Sequence, residues 1–197
     1  MRTSNKLVPA LLTVAVGALA GAAVAAPAAY NIDSAHTYPA FEADHMGGVS
    51  LWRGKFNSSK GTITLDKAAS AGTVDITMDM NSIDFGNDAL NKHAMTPDIF
   101  DTAKFPDAKY TGKLVKFKDG APTEVEGTLT MHGVTKPVTL TLNSFRCIQD
   151  TRAMKERCGA DATAKIMRDD FGVDFGKAFG FKMDVTLRIS VEALAAT

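Results

Sequence analysis

From Phe181 to Ala193 every second residue is apolar: Phe181, Met183, Val185, Leu187, Ile189, Val191 and Ala193 share one face, and Lys182, Asp184, Thr186, Arg188, Ser190 and Glu192 the other. A period of two over that length is a half-buried β-strand, because successive side chains leave the backbone on opposite sides. The alternation recurs upstream. Ile63 and Leu65, then Val74, Ile76, Met78 and Met80, then Val125, Leu129 and Met131, then Val138, Leu140 and Leu142 each alternate with Thr, Asp, Glu or Asn. Less regular strands are expected over His36 to His45, Tyr110 to Phe117 and Ala160 to Arg168. Gly47-Gly48, Asp119-Gly120 and His132-Gly133 supply turn chemistry between the runs. One segment departs from the pattern: Asn87 to Met95 is compatible with a helix, and Thr96-Pro97-Asp98 follows as a short turn towards Phe100.

Roughly eight antiparallel strands, one short helical insertion and no βαβ rhythm place the chain in the all-β class, as a sandwich or closed barrel. Closure is favoured because a barrel leaves no exposed edge. A barrel of about eight strands is just wide enough to be filled by its own side chains or to hold one small apolar ligand. The inward-facing candidates to line such a space are Ile63, Val74, Ile76, Met78, Met80, Leu129, Met131, Leu140, Ala162, Ala164, Ile166, Met183, Val185 and Leu187. Ala160, Ala162 and Ala164 make an unusually small stretch of wall. Interiors are close-packed, so small residues need large partners opposite or a ligand beside them. Nine methionines and eleven phenylalanines add flexible and bulky apolar surface.

The first residues change the picture of where this domain works. Arg2 and Lys6 precede an uncharged apolar run from Leu7 to Val24, and Ala23-Val24-Ala25 has the small-x-small form of a signal-peptidase site. The run approaches the ~18 to 20 residues of a membrane-spanning helix. It is rich in Ala and Gly, however, contains Pro9 and ends on small residues. Residues 1–25 therefore read as a cleaved export signal and 26–197 as one periplasmic domain that does not span the membrane. Removing the signal leaves 20 basic against 22 acidic side chains. That balance offers nucleic acid no electrostatic attraction. Cys147 and Cys158, in an exported chain, read as a disulfide across one polar loop, Ile148 to Arg157, in preference to a metal or redox pair.

Catalytic templates find no match. The chain has no Gly-x-Ser-x-Gly elbow, phosphate loop, dinucleotide fingerprint or His-Glu-x-x-His helix. His36, His45, His93 and His132 lack zinc spacing, and His36 and His45 fall on opposite faces of a regular strand. The acids Asp169, Asp170, Asp174 and Asp184 have no separation fixed by sequence that would make a glycosidase pair. The reading is therefore a non-enzyme without metal or cofactor, with His36 and His93 as candidates to touch a polar ligand head.

Several motifs occur in a fixed order: Tyr30-x-Ile32-Asp33-x-x-His36, Phe41, His45, Gly54-Lys55-Phe56, Gly61-x-Ile63, Ser82-Ile83, Leu90 and Asp98-Ile99-Phe100-Asp101 with Phe105-Pro106. Gly127-x-Leu129-Thr130-Met131-His132-Gly133-Val134-Thr135-Lys136-Pro137-Val138 and Arg168-x-Asp170-Phe171-Gly172-Val173 complete the series. In these the chain resembles the YceI-like family of exported polyisoprenoid-binding proteins, in its subgroup with a paired-cysteine loop. Thr37 stands where the family often has Ser. The resemblance implies a lipocalin-like antiparallel barrel that binds or carries an apolar isoprenoid, such as a quinone or polyprenyl phosphate, with the motif residues keeping turns and barrel geometry. The alternative is a structural or stress-related interaction domain with a filled barrel and no lipid, acting through its surface or as a homodimer.

Overall fold

The computed structural model describes residues 26–196; the segment read above as an export signal lies outside them. The strands are β1 (Ala28–Ile32), β2 (Tyr38–His45), β3 (Ser50–Phe56), β4 (Ser59–Asp66), β5 (Ala71–Asp79), β6 (Ile83–Asp84), β7 (Asp107–Val115), β8 (Glu124–Met131), β9 (Val134–Asp150), β10 (Lys155–Met167) and β11 (Asp184–Ala195), with the helix α1 (Asp88–Ala94) between β6 and β7. All pairings are antiparallel, and the sheet closes where β1 meets β11, with Tyr30 opposite Ala195.

The closed wall has eight strands because its first ones are bent segments. β1 and β2 run one after the other along β11, β3 and β4 run back along them, and β5 and β6 continue the meander. Local chemistry makes the first bend. Asp33 Oδ1 accepts from Ala35 N and starts a 3-10 turn at Ser34–His36. The buried Thr37 hydroxyl then donates to Glu192 O and accepts from Glu192 N, both at 3.1 Å. A side chain thus replaces the ladder bonds where the main chain swerves, and any hydroxyl residue at 37 would serve.

Asp79 makes the corresponding bend between β5 and β6, its carboxylate accepting from Asn81 N at the head of a turn over Met80–Ser82. Met80 is consequently no strand residue. It enters a second apolar cluster with Phe56, Ile83, Ala94 and Ala108.

The hairpins alternate between two ends. One end carries the turns β4–β5, β7–β8 and β9–β10. The other carries β2–β3, the two-residue turn His132-Gly133 with φ of 52° and 77°, and the two long connections, 85–106 with α1 and 168–183. Asn87 caps α1, its Oδ1 accepting from Leu90 N at 3.0 Å, within one residue of the expected helix. Gly127 is required by packing. A Cβ there would stand 2.7 Å from the Tyr110 hydroxyl, which lies 2.9 Å from Val138 O and 3.1 Å from Val125 O inside the wall.

The stretch expected to be a polar loop between the cysteines is instead the continuation of β9 and β10 into a hairpin turned at Thr151–Met154. Cys147 and Cys158 are directly opposed partners on those strands, with Cα atoms 4.0 Å apart, and form the disulfide. Both side chains belong to the main core. Ile148 follows Cys147 on the opposite face and is exposed, and none of residues 148–157 is buried, so this mostly polar hairpin lies against water, which is why composition alone suggested a loop.

Candidate functional site

The barrel is hollow. A cavity of about 430 Å³ lies inside it, walled almost entirely by apolar side chains. Folded interiors contain few voids larger than a water molecule, whereas ligand sites span roughly 300 to 1,000 Å³. Of the positions selected from sequence, Ile63, Val74, Ile76, Met78, Leu129, Met131, Leu140, Ala162, Ile166, Val185 and Leu187 meet on its wall. They come from six strands, and strand parity brings them together.

Three selected positions lie off the wall. Met80 is held in the second cluster by the bend described above. Met183 is buried but precedes β11, in the connection, where its carbonyl accepts from Arg168 N at 2.9 Å. The alternation begun at Phe181 therefore belongs to the strand only from Asp184 onward. Ala164 has the inward parity of Ala162, but its methyl packs among neighbouring core side chains and adds nothing to the cavity surface.

His36 is also displaced from its expected role. It sits in the exposed turn after β1, where its Nδ1 lies 2.8 Å from Asp33 Oδ2, outside the barrel. Since it is not in β2, the parity argument relating it to His45 does not apply. Asp33, His36 and Glu192 approach closely enough to suggest a cation site, but the Arg157 guanidinium occupies it, with Nη1 2.7 Å from Asp33 and 2.9 Å from Glu192.

His93, by contrast, lines the cavity. It projects from α1 with its ring edge-to-face on Phe175 at 5.0 Å and its Nε2 3.7 Å from Asp98.

Sequence reasoning missed the mouth. His45 stacks on Trp52 at 4.3 Å, meets Phe181 edge-on at 5.1 Å, and Trp52 meets Phe85 at 6.4 Å. All four line the cavity at the end carrying α1 and the 168–183 connection. The chain's single Trp, on a strand not singled out, was the available signal. Arg168, named only as a strand end and a motif residue, is the cationic member of the wall. Its Nη1 and Nη2 donate to Val173 O and Phe175 O. Burial pulls its pKa below the usual arginine value. Among the described residues no carboxylate lies within ion-pair distance of it, and its remaining N–H groups have no protein acceptor.

The opposite end is sealed. Tyr30 is buried, and its hydroxyl donates to Glu156 Oε2 at 2.5 Å. Burial, followed by the neighbouring Glu156, pushes that phenol up to about 12. Lys67 reaches the other Glu156 oxygen at 2.5 Å, so Lys67 first, then Tyr30, holds this carboxyl below its ordinary value. On the outer surface Arg157 joins three parts of the chain through Asp33, Asp150 and Glu192. No helix among the described residues is long and apolar enough to cross a membrane.

The family model for the YceI-like domain matches residues 30–193. Protein YceI of Escherichia coli O6:H1 is 37% identical over 178 residues, covering 89% of this chain and 90% of that one. The crystal structure of the Campylobacter jejuni YceI protein superposes with a TM-score of 0.63 at 27% identity, over 74% of this chain and 86% of the other. A polyisoprenoid binding domain from Saccharophagus degradans, implicated in plant cell wall breakdown, shares the fold with a TM-score of 0.60 at 17% identity, over 85% and 99% of the two chains. The bent eight-strand barrel, the ordered motifs and these likenesses agree, and the chain belongs to the YceI-like family.

Proposed function

We propose that the protein is a non-enzymatic periplasmic carrier for an apolar, isoprenoid-type lipid, a quinone or polyprenyl phosphate, held inside the barrel without metal or cofactor. The observation that carries this reading is the 430 Å³ apolar cavity. A prenyl chain is a flexible branched hydrocarbon, and the mixture of Met, Leu, Ile, Val and Phe around the space suits it, since burying such surface gains about 25 cal/mol per Å². The polar end lies at the mouth, where Arg168 has unused donors and His93 a ring nitrogen. The likeness to a domain described as polyisoprenoid-binding supports the ligand class. The disulfide supports an oxidising compartment.

Mass spectrometry of organic extracts from the purified mature protein tests the proposal. Co-purified prenyl lipid is the expected result. A clean extract, together with failure of the stripped barrel to take up a fluorescent prenyl-quinone analogue, sinks it and returns the protein to the class of surface-acting interaction domains.

A further inference from the structure

The aromatic rim of the cavity is bordered by apolar side chains that cover nothing. Met46, Val49 and Leu51, in the β2–β3 hairpin between the rim residues His45 and Trp52, are 57%, 76% and 48% exposed. Phe179, two residues before the rim residue Phe181, is 76% exposed. The two tips adjoin. A Cβ on Gly47 would stand 3.1 Å from Gly180 O, and Asp44 Oδ2 accepts from both Gly47 N at 2.9 Å and Lys182 N at 3.0 Å.

The charge pattern is specific. Met46-Gly47-Gly48-Val49-Ser50-Leu51 and Ala178-Phe179-Gly180-Phe181 contain no ionisable side chain, and Lys177 and Lys182 flank the second tip. Of the acids nearby, Asp44 accepts from those backbone N–H groups and Asp169 pairs with Lys177 at 2.7 Å, and Asp170 and Asp174 also lie close enough to act on Lys177.

We infer that the mouth end of the barrel docks on a lipid bilayer, with Met46, Val49, Leu51 and Phe179 entering the headgroup region and Lys182 meeting lipid phosphates. Uncharged apolar tips flanked by lysines, with Trp and His behind them, have the composition of interfacial anchors. The choice of a bilayer over a protein partner rests on the proposed lipid-carrying role. The apolar wall of the cavity continues through the rim into this patch, so a prenyl chain leaving the barrel stays out of water only if what covers the mouth is itself hydrocarbon.

The test is flotation of the purified mature protein with vesicles of phosphatidylethanolamine and phosphatidylglycerol. The wild type floats with the vesicles. The double variant Val49→Asp with Phe179→Asp, changed only at exposed positions, loses partitioning by about tenfold or more. Met154→Asp, 78% exposed at the opposite end, partitions as wild type. Docking is overturned by a wild type that stays in the aqueous fraction, or by a Met154→Asp variant that loses as much as the double variant. It is equally overturned by a double variant that keeps its partitioning but falls from dimer to monomer in gel filtration, which assigns the patch to a second copy. Lipid retention separates the two readings. Protein that floats but never carries prenyl lipid overturns the carrier and leaves docking standing, while loaded protein that ignores vesicles does the reverse.

Discussion

At one end of the barrel, Tyr30 is 1% exposed, Glu156 is held between its hydroxyl and Lys67, a disulfide ties two paired strands inside the wall, and Arg157 binds three carboxylates from separate parts of the chain. At the other, rings from His45, Trp52, Phe85 and Phe181 stand around open volume, and among the described residues the Arg168 side chain has only backbone carbonyls for partners. The same alternating strands run through both ends. Stability is therefore concentrated where side chains and covalent bonds close the barrel. The hollow end forgoes packing contacts, a loss that a bound ligand restores.

The sharpest way to break this contrast is at the disulfide. Replacing Cys147 and Cys158 together by Ala should lower stability by about 2 to 3 kcal/mol, from the loop-closure cost of the short intervening hairpin. Thermal or denaturant unfolding measures it. Prenyl-lipid retention at room temperature should persist, because the cavity wall contains neither cysteine. A variant of native stability that has lost its lipid would reverse the assignment of the two ends.

The main fold was legible because inward and outward positions differ in polarity along every long strand, and a closed antiparallel wall is what such strands form. The bends were not. The turns at Ser34–His36 and Met80–Ser82 are set by Asp33 and Asp79 reaching their own backbone, a local effect that period-two reading passes over. That is why Met80 was placed on the wall and His36 in a strand. Phe181 and Met183 continued an alternation beyond the point where the ladder ends. The mouth was illegible for another reason: Phe85, Phe181 and Arg168 come from connections, whose positions depend on tertiary packing, and only those connections bring them against His45 and Trp52 at the ends of β2 and β3. The cavity is set by parity, but parity alone cannot say that Ala162 reaches it and Ala164 does not.

Removing the Arg157 charge is the next largest change. Arg157→Leu leaves Asp33, Asp150 and Glu192 without their common partner and should cost about 1 to 2 kcal/mol near neutral pH. It should also change the pH profile. The Ala153 N–H, the Arg157 guanidinium and the Arg152 N–H bring the Asp150 carboxyl down to about 2, and Arg157, then His36, lowers that of Asp33. A carboxyl with a depressed folded-state pKa adds stability that is complete above its ordinary value. That stability is lost as pH falls through the depressed one. Melting temperature should therefore drop for wild type between about pH 4 and about pH 2 and drop less steeply for Arg157→Leu. Parallel profiles would mean the network contributes little.

Filling the hollow end should affect stability less and binding more. Ala162 is 2% exposed and on the cavity wall. Ala162→Phe should place its ring in the open volume, change stability by less than about 1 kcal/mol, and abolish prenyl-lipid retention. A close-packed interior would answer with about 1 to 3 kcal/mol of strain. Ala164→Phe makes the comparison sharper, since off the cavity wall it should incur that strain.

The smallest effect is expected at His36, and it tests which end receives the polar head of the ligand. His36 has a side chain that is 58% exposed and pairs with Asp33, which Arg157 also holds. His36→Ala should leave stability within about 0.5 kcal/mol of wild type, as surface changes do, and leave lipid retention unaltered. His93→Ala removes a ring from the mouth and should weaken retention by roughly the value of one hydrogen bond, about 1 kcal/mol. Titrating both variants with a fluorescent prenyl-quinone analogue compares them directly. If His36→Ala weakens binding and His93→Ala does not, the ligand enters from the sealed end. Tyr30, Glu156 and Lys67 would then have to part to admit it, which their mutual hydrogen bonds and the burial of Tyr30 oppose.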